Sequence, residues 1–237
     1  MITKGQIKLV KQLEQKKFRR REGLFVAEGP KVVGDLTAAG FRPHVLFSTV
    51  PQEGAVTVSD DELRKLSFLQ HPQQTLALFP LPAEQAATTP KGLCLALDGV
   101  QDPGNLGTII RIADWFGIDP IYCSPDTADA WAPKVVQATM GSIARVPIIY
   151  TDLCCLLDAT PLPVYGTLLD GQDIYAQPLA KEAVIVMGNE GKGISEAVRA
   201  HVNHRLLIPS YHRGNTAESL NVAIATAITC AEFRRRN

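Results

Sequence analysis

Three short stretches of this 237-residue chain place polar groups where polar groups are costly, and each offers a piece of chemistry. The first is residues 98–111, DGVQDPGNLGTIIR. Arg111 stands among Ile109, Ile110 and Ile112, so its guanidinium needs a partner, either an anionic ligand group or Asp114 on the same helical face. Gly107, one turn earlier, leaves room to approach that arginine, and Asn105 is a candidate helix cap. The second is residues 187–194, MGNEGKGI, where glycines around Glu190 permit close backbone approach to a ligand and the following helix start favours anions. A Walker loop would need glycine at Val186 and a hydroxyl residue at Gly193. A dinucleotide loop starting at Gly191 would need a small residue at Glu196, so neither pattern fits. The third is Ser219-Leu220-Asn221, at the mouth of a helix that is apolar on nearly every side. Ordinary capping explains Ser219 or Asn221 singly more easily than both.

Alternating elements must position these groups. From residue 92 on, apolar runs predict strands at 93–97, 120–123, 146–149, 163–168, 184–187 and 205–208. Helices fit near 105–116, 132–140, 152–158 and 194–203, and a last one from about Ala217 to Phe233. Asn215 with Glu218 resembles a capping box for that last helix. Such alternation predicts a parallel sheet covered on both faces, with ligands beyond the carboxyl ends of its strands. The informative loops are therefore those after Leu97, Leu168, Met187 and Ile208. Upstream, shorter runs at 24–27, 45–48, 56–58 and 75–79, with helices near 30–39 and 60–66, form a small α/β unit. The Pro-, Ala- and Thr-rich stretch 80–91 reads as a connection. The expected division is 1–85, a linker at 86–91, and 92–237. Residues 2–21 read as a basic helix. Its Lys16, Lys17, Arg19, Arg20 and Arg21 form either a solvated face or an electrostatic footprint for RNA phosphate.

Composition sets outer bounds. An apolar content of 46% supports a real core, and 24 basic against 24 acidic residues leave only local charge asymmetry to attract nucleic acid. Five cysteines without a CxxC pair fit a reduced, cytoplasmic protein, with Cys123 and Cys230 in the core. MITKGQIKLVKQ lacks the apolar core of a signal peptide, and the last helix is too short and too Ala/Thr-rich to span a bilayer, so no membrane partner is expected. His201 and His204 lack companions for a metal site, and no GxSxG elbow is present.

Taken together, LDGVQDPGNLGTIIR, IVMGNEGKGIS and LLIPSYHRGNTAESLNVAIA resemble, in order and spacing, the three motifs of the SpoU (TrmH-type) family of RNA 2′-O-ribose methyltransferases, in the SPOUT superfamily. The match covers roughly residues 93 to 235 and is specific as a set. KQLEQKKFRRREGLFVAEG is similar, more loosely, to the small RNA-binding domain that precedes the catalytic domain in rRNA-modifying members. The resemblance implies an α/β fold with a deep trefoil knot, S-adenosylmethionine bound within it, and a homodimer. It assigns Asn105, Arg111, Glu190, Ser219 and Asn221 to catalysis. It places Thr167, Gly188, Asn189, Gly191, Ile208, Pro209 and Leu220 at the cofactor. One departure is the long 209–219 connection, with Tyr211, His212 and Arg213 where the family often has Met and small residues.

The implied reaction is attack of a ribose 2′-oxygen on a sulfonium methyl, where positioning alone supplies up to about 10 kcal/mol. Arg111 is the implied activating residue, better suited to stabilising a developing alkoxide and gripping phosphate than to acting as a neutral base. Glu190 would fix loop geometry or pair with that arginine. Ribosomal RNA is the expected substrate. Transfer RNA, base-nitrogen methylation, or RNA binding without catalysis are the competing readings.

Overall fold

The structure is a computed structural model that describes residues 2–212, 214 and 217–236. It separates into two compact units, one of residues up to Ala83 together with Asp129–Arg145, the other of Glu84–Ala128 together with the chain from Val146 on.

In the first unit the basic N-terminal stretch is two helices, α1 (Lys4–Gln12) and α2 (Lys16–Glu22), not one. Leu13 ends α1, and Gly23 in the left-handed region ends α2. Strands β1 (Leu24–Glu28), β2 (Val45–Ser48), β3 (Val56–Thr57) and β4 (Thr75–Pro80) form a sheet in the order β1-β4-β2-β3, accompanied by α3 (Pro30–Ala38) and α4 (Asp60–Leu66). Both faces of β1 are buried, which explains its unbroken apolar run. Leu24 and Val26 join Val10, Leu13, Leu63 and Leu66 in one core cluster. On the other face Phe25 stacks on Phe79 and meets Trp131, with ring centres 5.7 and 4.6 Å away.

Trp131 comes from the 129–145 segment, which carries α6 (Pro133–Ala138). Alternation alone places this segment in the second domain. Its contacts place it in the first unit, where it supplies the aromatic partner of Phe25 and, in Asp129, the ion-pair partner of Arg19 at 2.5 Å.

The second unit is built on a six-stranded, wholly parallel sheet of β5 (Leu93–Asp98), β6 (Ile121–Cys123), β7 (Ile148–Tyr150), β8 (Val164–Asp173), β9 (Ala183–Gly188) and β10 (His204–Leu207). Its order is β10-β8-β9-β5-β6-β7. The two central strands, LCLALD and AVIVMG, are buried along their whole length. The helices are α5 (Pro103–Phe116), α7 (Leu153–Ala159), α8 (Glu196–Arg199) and α9 (Val222–Arg236).

Two helix starts differ from expectation. Asp102, not Asn105, caps α5, accepting from the Asn105 amide at 2.8 Å with Pro103 in the first turn. Helix α9 begins at Val222 rather than near Ala217, because Asn221 caps it through Oδ1 to the amides of Ala223 and Ile224. Asn215 of the expected capping box, and Arg213, lie outside the described residues. Among the described residues no helix is long and apolar enough to cross a membrane.

Candidate functional site

The loop after β9 is shaped from within. Asn189 and Gly193 exchange backbone hydrogen bonds, both at 2.9 Å, so the chain doubles back on Gly188. A Cβ on Gly188 would lie 2.2 Å from the Gly193 carbonyl carbon, which is why only glycine fits there. The Asn189 side chain closes the turn, accepting from the amides of Gly191 and Lys192 and donating to the Gly99 carbonyl at 2.7 Å. At the base of the loop, Asp98 ends β5 nearly buried and accepts from the Ser195 amide at 2.7 Å. Ser195 in turn caps α8. Asp98 was not singled out in the sequence. Its signal is a carboxylate closing a fully apolar strand immediately before Gly99.

Glu190 reaches from this loop to the one after β5. Its carboxylate accepts from Asn105 Nδ2 at 3.0 Å and from the amides of Asp102 and Gln101. Burial alone would raise its pKa, but these hydrogen bonds outweigh burial and hold it below the usual carboxylate range. Asn105 Oδ1 in turn accepts from Asn221 Nδ2 at 2.9 Å. One hydrogen-bonded chain, Asn221 to Asn105 to Glu190, thus joins the three stretches. Asn105 is free to link the other two because Asp102 has taken the capping role.

Beyond the strand ends lies a cavity of about 510 Å³, well sized for a small organic ligand. Thr167, Gly188, Asn189, Glu190, Gly191, Ile208, Ser219 and Leu220 all line it, with Leu168, Met187 and Ile194 among its apolar walls. Leu220, an apolar side chain that is half exposed, is part of that lining. Pro209, Asn105, Asn221 and Arg111 do not line it.

Arg111 lies apart. It is exposed on α5, and no hydrogen bond or ion pair to a described residue holds it, so the pair with Asp114 does not form. It shares a helical stripe with Trp115, which is 85% exposed.

In the first unit Lys16, Lys17, Arg20 and Arg21 are exposed, with Lys17 and Arg21 packed over the Phe18 ring. Arg19 must be removed from the RNA-facing set. It is 2% exposed, pairs with Asp129 and donates to the Leu13 and Glu14 carbonyls at 2.7 Å. Helical phase turns it inward while its neighbours point out.

All five cysteines are free. Burial pushes the Cys94 thiol up to about 11 and Cys230 up to about 12, and raises Cys123 further, so these three are core residues rather than nucleophiles. Among the described residues no three His, Cys, Asp or Glu side chains gather as a metal site.

Comparison with known proteins bears on both units. A model of the SpoU rRNA Methylase family matches residues 92–231, and one of the MRM3-like substrate binding domain matches residues 4–77. The chain is 33% identical to the 23S rRNA (guanosine(2553)-2′-O)-methyltransferase RlmP of Bacillus subtilis, over 94% of both proteins. An AdoMet-bound rRNA methyltransferase from Sinorhizobium meliloti superposes with a TM-score of 0.87 at 31% identity, covering 100% of this chain and 96% of that one. A TrmH-family protein from Porphyromonas gingivalis gives the same TM-score at 42% identity, covering 100% of both.

Proposed function

Since this chain belongs to the SpoU rRNA methylase family, we propose that it transfers a methyl group from S-adenosylmethionine to a ribose 2′-hydroxyl of ribosomal RNA. The observation that carries this reading is the convergence of Gly188–Gly191, Ile208 and Leu220 on one cavity. The Asn221–Asn105–Glu190 chain holds the surrounding loops together. The residues suit the cofactor. Gly188 lets backbone approach an adenosyl group, and Leu168, Ile208 and Leu220 offer apolar cover for a purine. When bound, S-adenosylmethionine supplies an electrophilic methyl on a sulfonium.

The chain's own work is to orient and to stabilise charge. The Arg111 guanidinium, a planar cation with donors only, stabilises the developing 2′-oxyanion and grips the neighbouring phosphate. Its place outside the cavity wall supports a homodimer in which Arg111 of one copy serves the cavity of the other. Two stripes on the packed helices α5 and α9 support the same assembly: the exposed Arg111 with Trp115, and the exposed Ile224 and Ala231 with the half-buried Ala227 and Ile228 between them. The 188–194 loop and residues 208 and 218–220 line one cavity, which supports the trefoil knot that the family implies. Exposed basic residues of α2 and the MRM3-like match support RNA docking by the first unit, and the five free cysteines suit the reducing cytoplasm.

The test is to incubate the protein with unmodified rRNA and methyl-labelled S-adenosylmethionine, then digest the RNA to nucleosides. Label on a 2′-O-methyl nucleoside is expected. Label on a base, or none, contradicts the reading. Arg111→Ala should retain cofactor binding and lose at least about 100-fold in transfer, the scale of removing one oxyanion donor.

A further inference from the structure

Strand β8 leaves its ladder between two pairings with β10. Tyr165 and Gly166 lie opposite His204 and Arg205, whereas Gln172 and Asp173 lie opposite Leu206 and Leu207. Residues 167–171 therefore loop out against a single peptide link of β10, and Thr167, Leu168, Leu169 and Asp170 become one wall of the large cavity. The two ends of the loop are fixed by packing. A Cβ on Gly171 would lie 2.5 Å from the Leu206 carbonyl carbon, and one on Gly166 would lie 2.9 Å from a Val202 methyl. Between them Leu168 packs against the core of the sheet, whereas Leu169 at the apex is 73% exposed.

Charge holds the apex instead. A single oxygen of Asp170, Oδ2, accepts from Arg199 at the end of α8 and from Arg205 on β10, the latter at 3.1 Å. Both arginines come from elements that border the cavity. Arg199 lines it, and β10 adds Leu206 and Leu207. Asp170 and Arg205 also border a second, smaller cavity of about 280 Å³, so solvent reaches the ion pairs.

We propose that Asp170, clamped by Arg199 and Arg205, is a positioning latch that sets the shape of the cofactor wall and thereby the affinity for S-adenosylmethionine. The inference rests on the cavity being the cofactor site. The three residues touch neither methyl nor ribose in this role, so their removal changes cofactor affinity and spares the transfer step. Two half-exposed ion pairs are worth a modest factor, so the expected loss of affinity is about three- to tenfold. Because solvent reaches them, salt weakens the latch.

The experiment titrates S-adenosylmethionine into the full-length wild type and into Asp170→Asn, Asp170→Glu and Arg199→Gln, at low and high KCl. Expected are a raised Kd in Asp170→Asn and Arg199→Gln and near-wild-type binding in Asp170→Glu. The salt dependence should be flatter in Asp170→Asn than in wild type. The rate at saturating cofactor and the KM for RNA should stay unchanged. Arg199→Gln carries the same requirement if Asp170→Asn folds poorly. Wild-type binding with unaltered Kd in these variants overturns the latch alone. Wild type that binds no S-adenosylmethionine overturns the cofactor reading, and the latch with it.

Discussion

At Glu190 one carboxylate serves three donors, the Asn105 amide side chain and the backbone N–H groups of Gln101 and Asp102. Glu190→Gln keeps the size but turns an NH2 towards those donors. The expected loss is about 1–3 kcal/mol of loop order, seen as a drop of about five- to 150-fold in methyl transfer. Its pKa is depressed, so its carboxylate is fully formed above the ordinary value and lost only as pH falls below it. Glu190 should therefore impose no pH dependence on transfer near neutrality. Arg19 and Arg20 illustrate what a run of like residues conceals. Arg19→Ala strands Asp129 and should cost about 3 kcal/mol of stability by denaturant melting, whereas neutralising Lys16, Lys17, Arg20 and Arg21 should lower the salt slope of RNA binding with little effect on stability. The basic run was legible, but which member turns inward depends on helical phase and on an aspartate 110 positions later. Asn105 was misread as a cap because Asp102 and Asn105 both suit that position. Pro103, which favours the first helical residue, is the discriminating signal.

At the scale of elements, the strands that read most clearly were β5 and β9, because burial on both faces writes an unbroken apolar run. The looped-out stretch of β8 was invisible, since it exists only in register with β10, some thirty residues on. The 129–145 segment was legible as helix but not as to which core it completes, because alternation gives type and not partner. Helix α9 was legible as a helix apolar on nearly every side, though its expected start is early because Asn215 with Glu218 resembles a capping box, whereas Asn221 supplies the cap. Its far end is fastened by ions. Glu232, almost buried, accepts from Arg235 and Arg236, and Arg236 also donates to the Gln177 carbonyl. The hydrogen bond from Arg235, opposed by burial and assisted by Arg236, pulls the Glu232 carboxyl down to about 2. A depressed carboxyl pKa contributes stability above the ordinary value of 4.5, and that contribution fades as pH falls towards about 2. Glu232→Gln should thus lower Tm at neutral pH, with the gap to wild type closing as acid approaches that lower value.

For the whole molecule, the exposed Trp115 and the partly exposed apolar stripe on α9 call for a covering surface, and the proposed occupant is a second copy. Light scattering should give the mass of two 25.7-kDa chains, and Trp115→Glu should give one chain and abolish transfer. A wild-type mass of one chain would contradict the dimer. The central claim is narrower still, that stretches distant in sequence enclose one cofactor while Arg111 acts only on the transfer step. Calorimetric titration of S-adenosylmethionine into wild type, Arg111→Ala and Gly188→Ala tests it most directly. Equal binding by wild type and Arg111→Ala, with none by Gly188→Ala, is the predicted result. Absence of binding to wild type, or undiminished binding to Gly188→Ala, would contradict it.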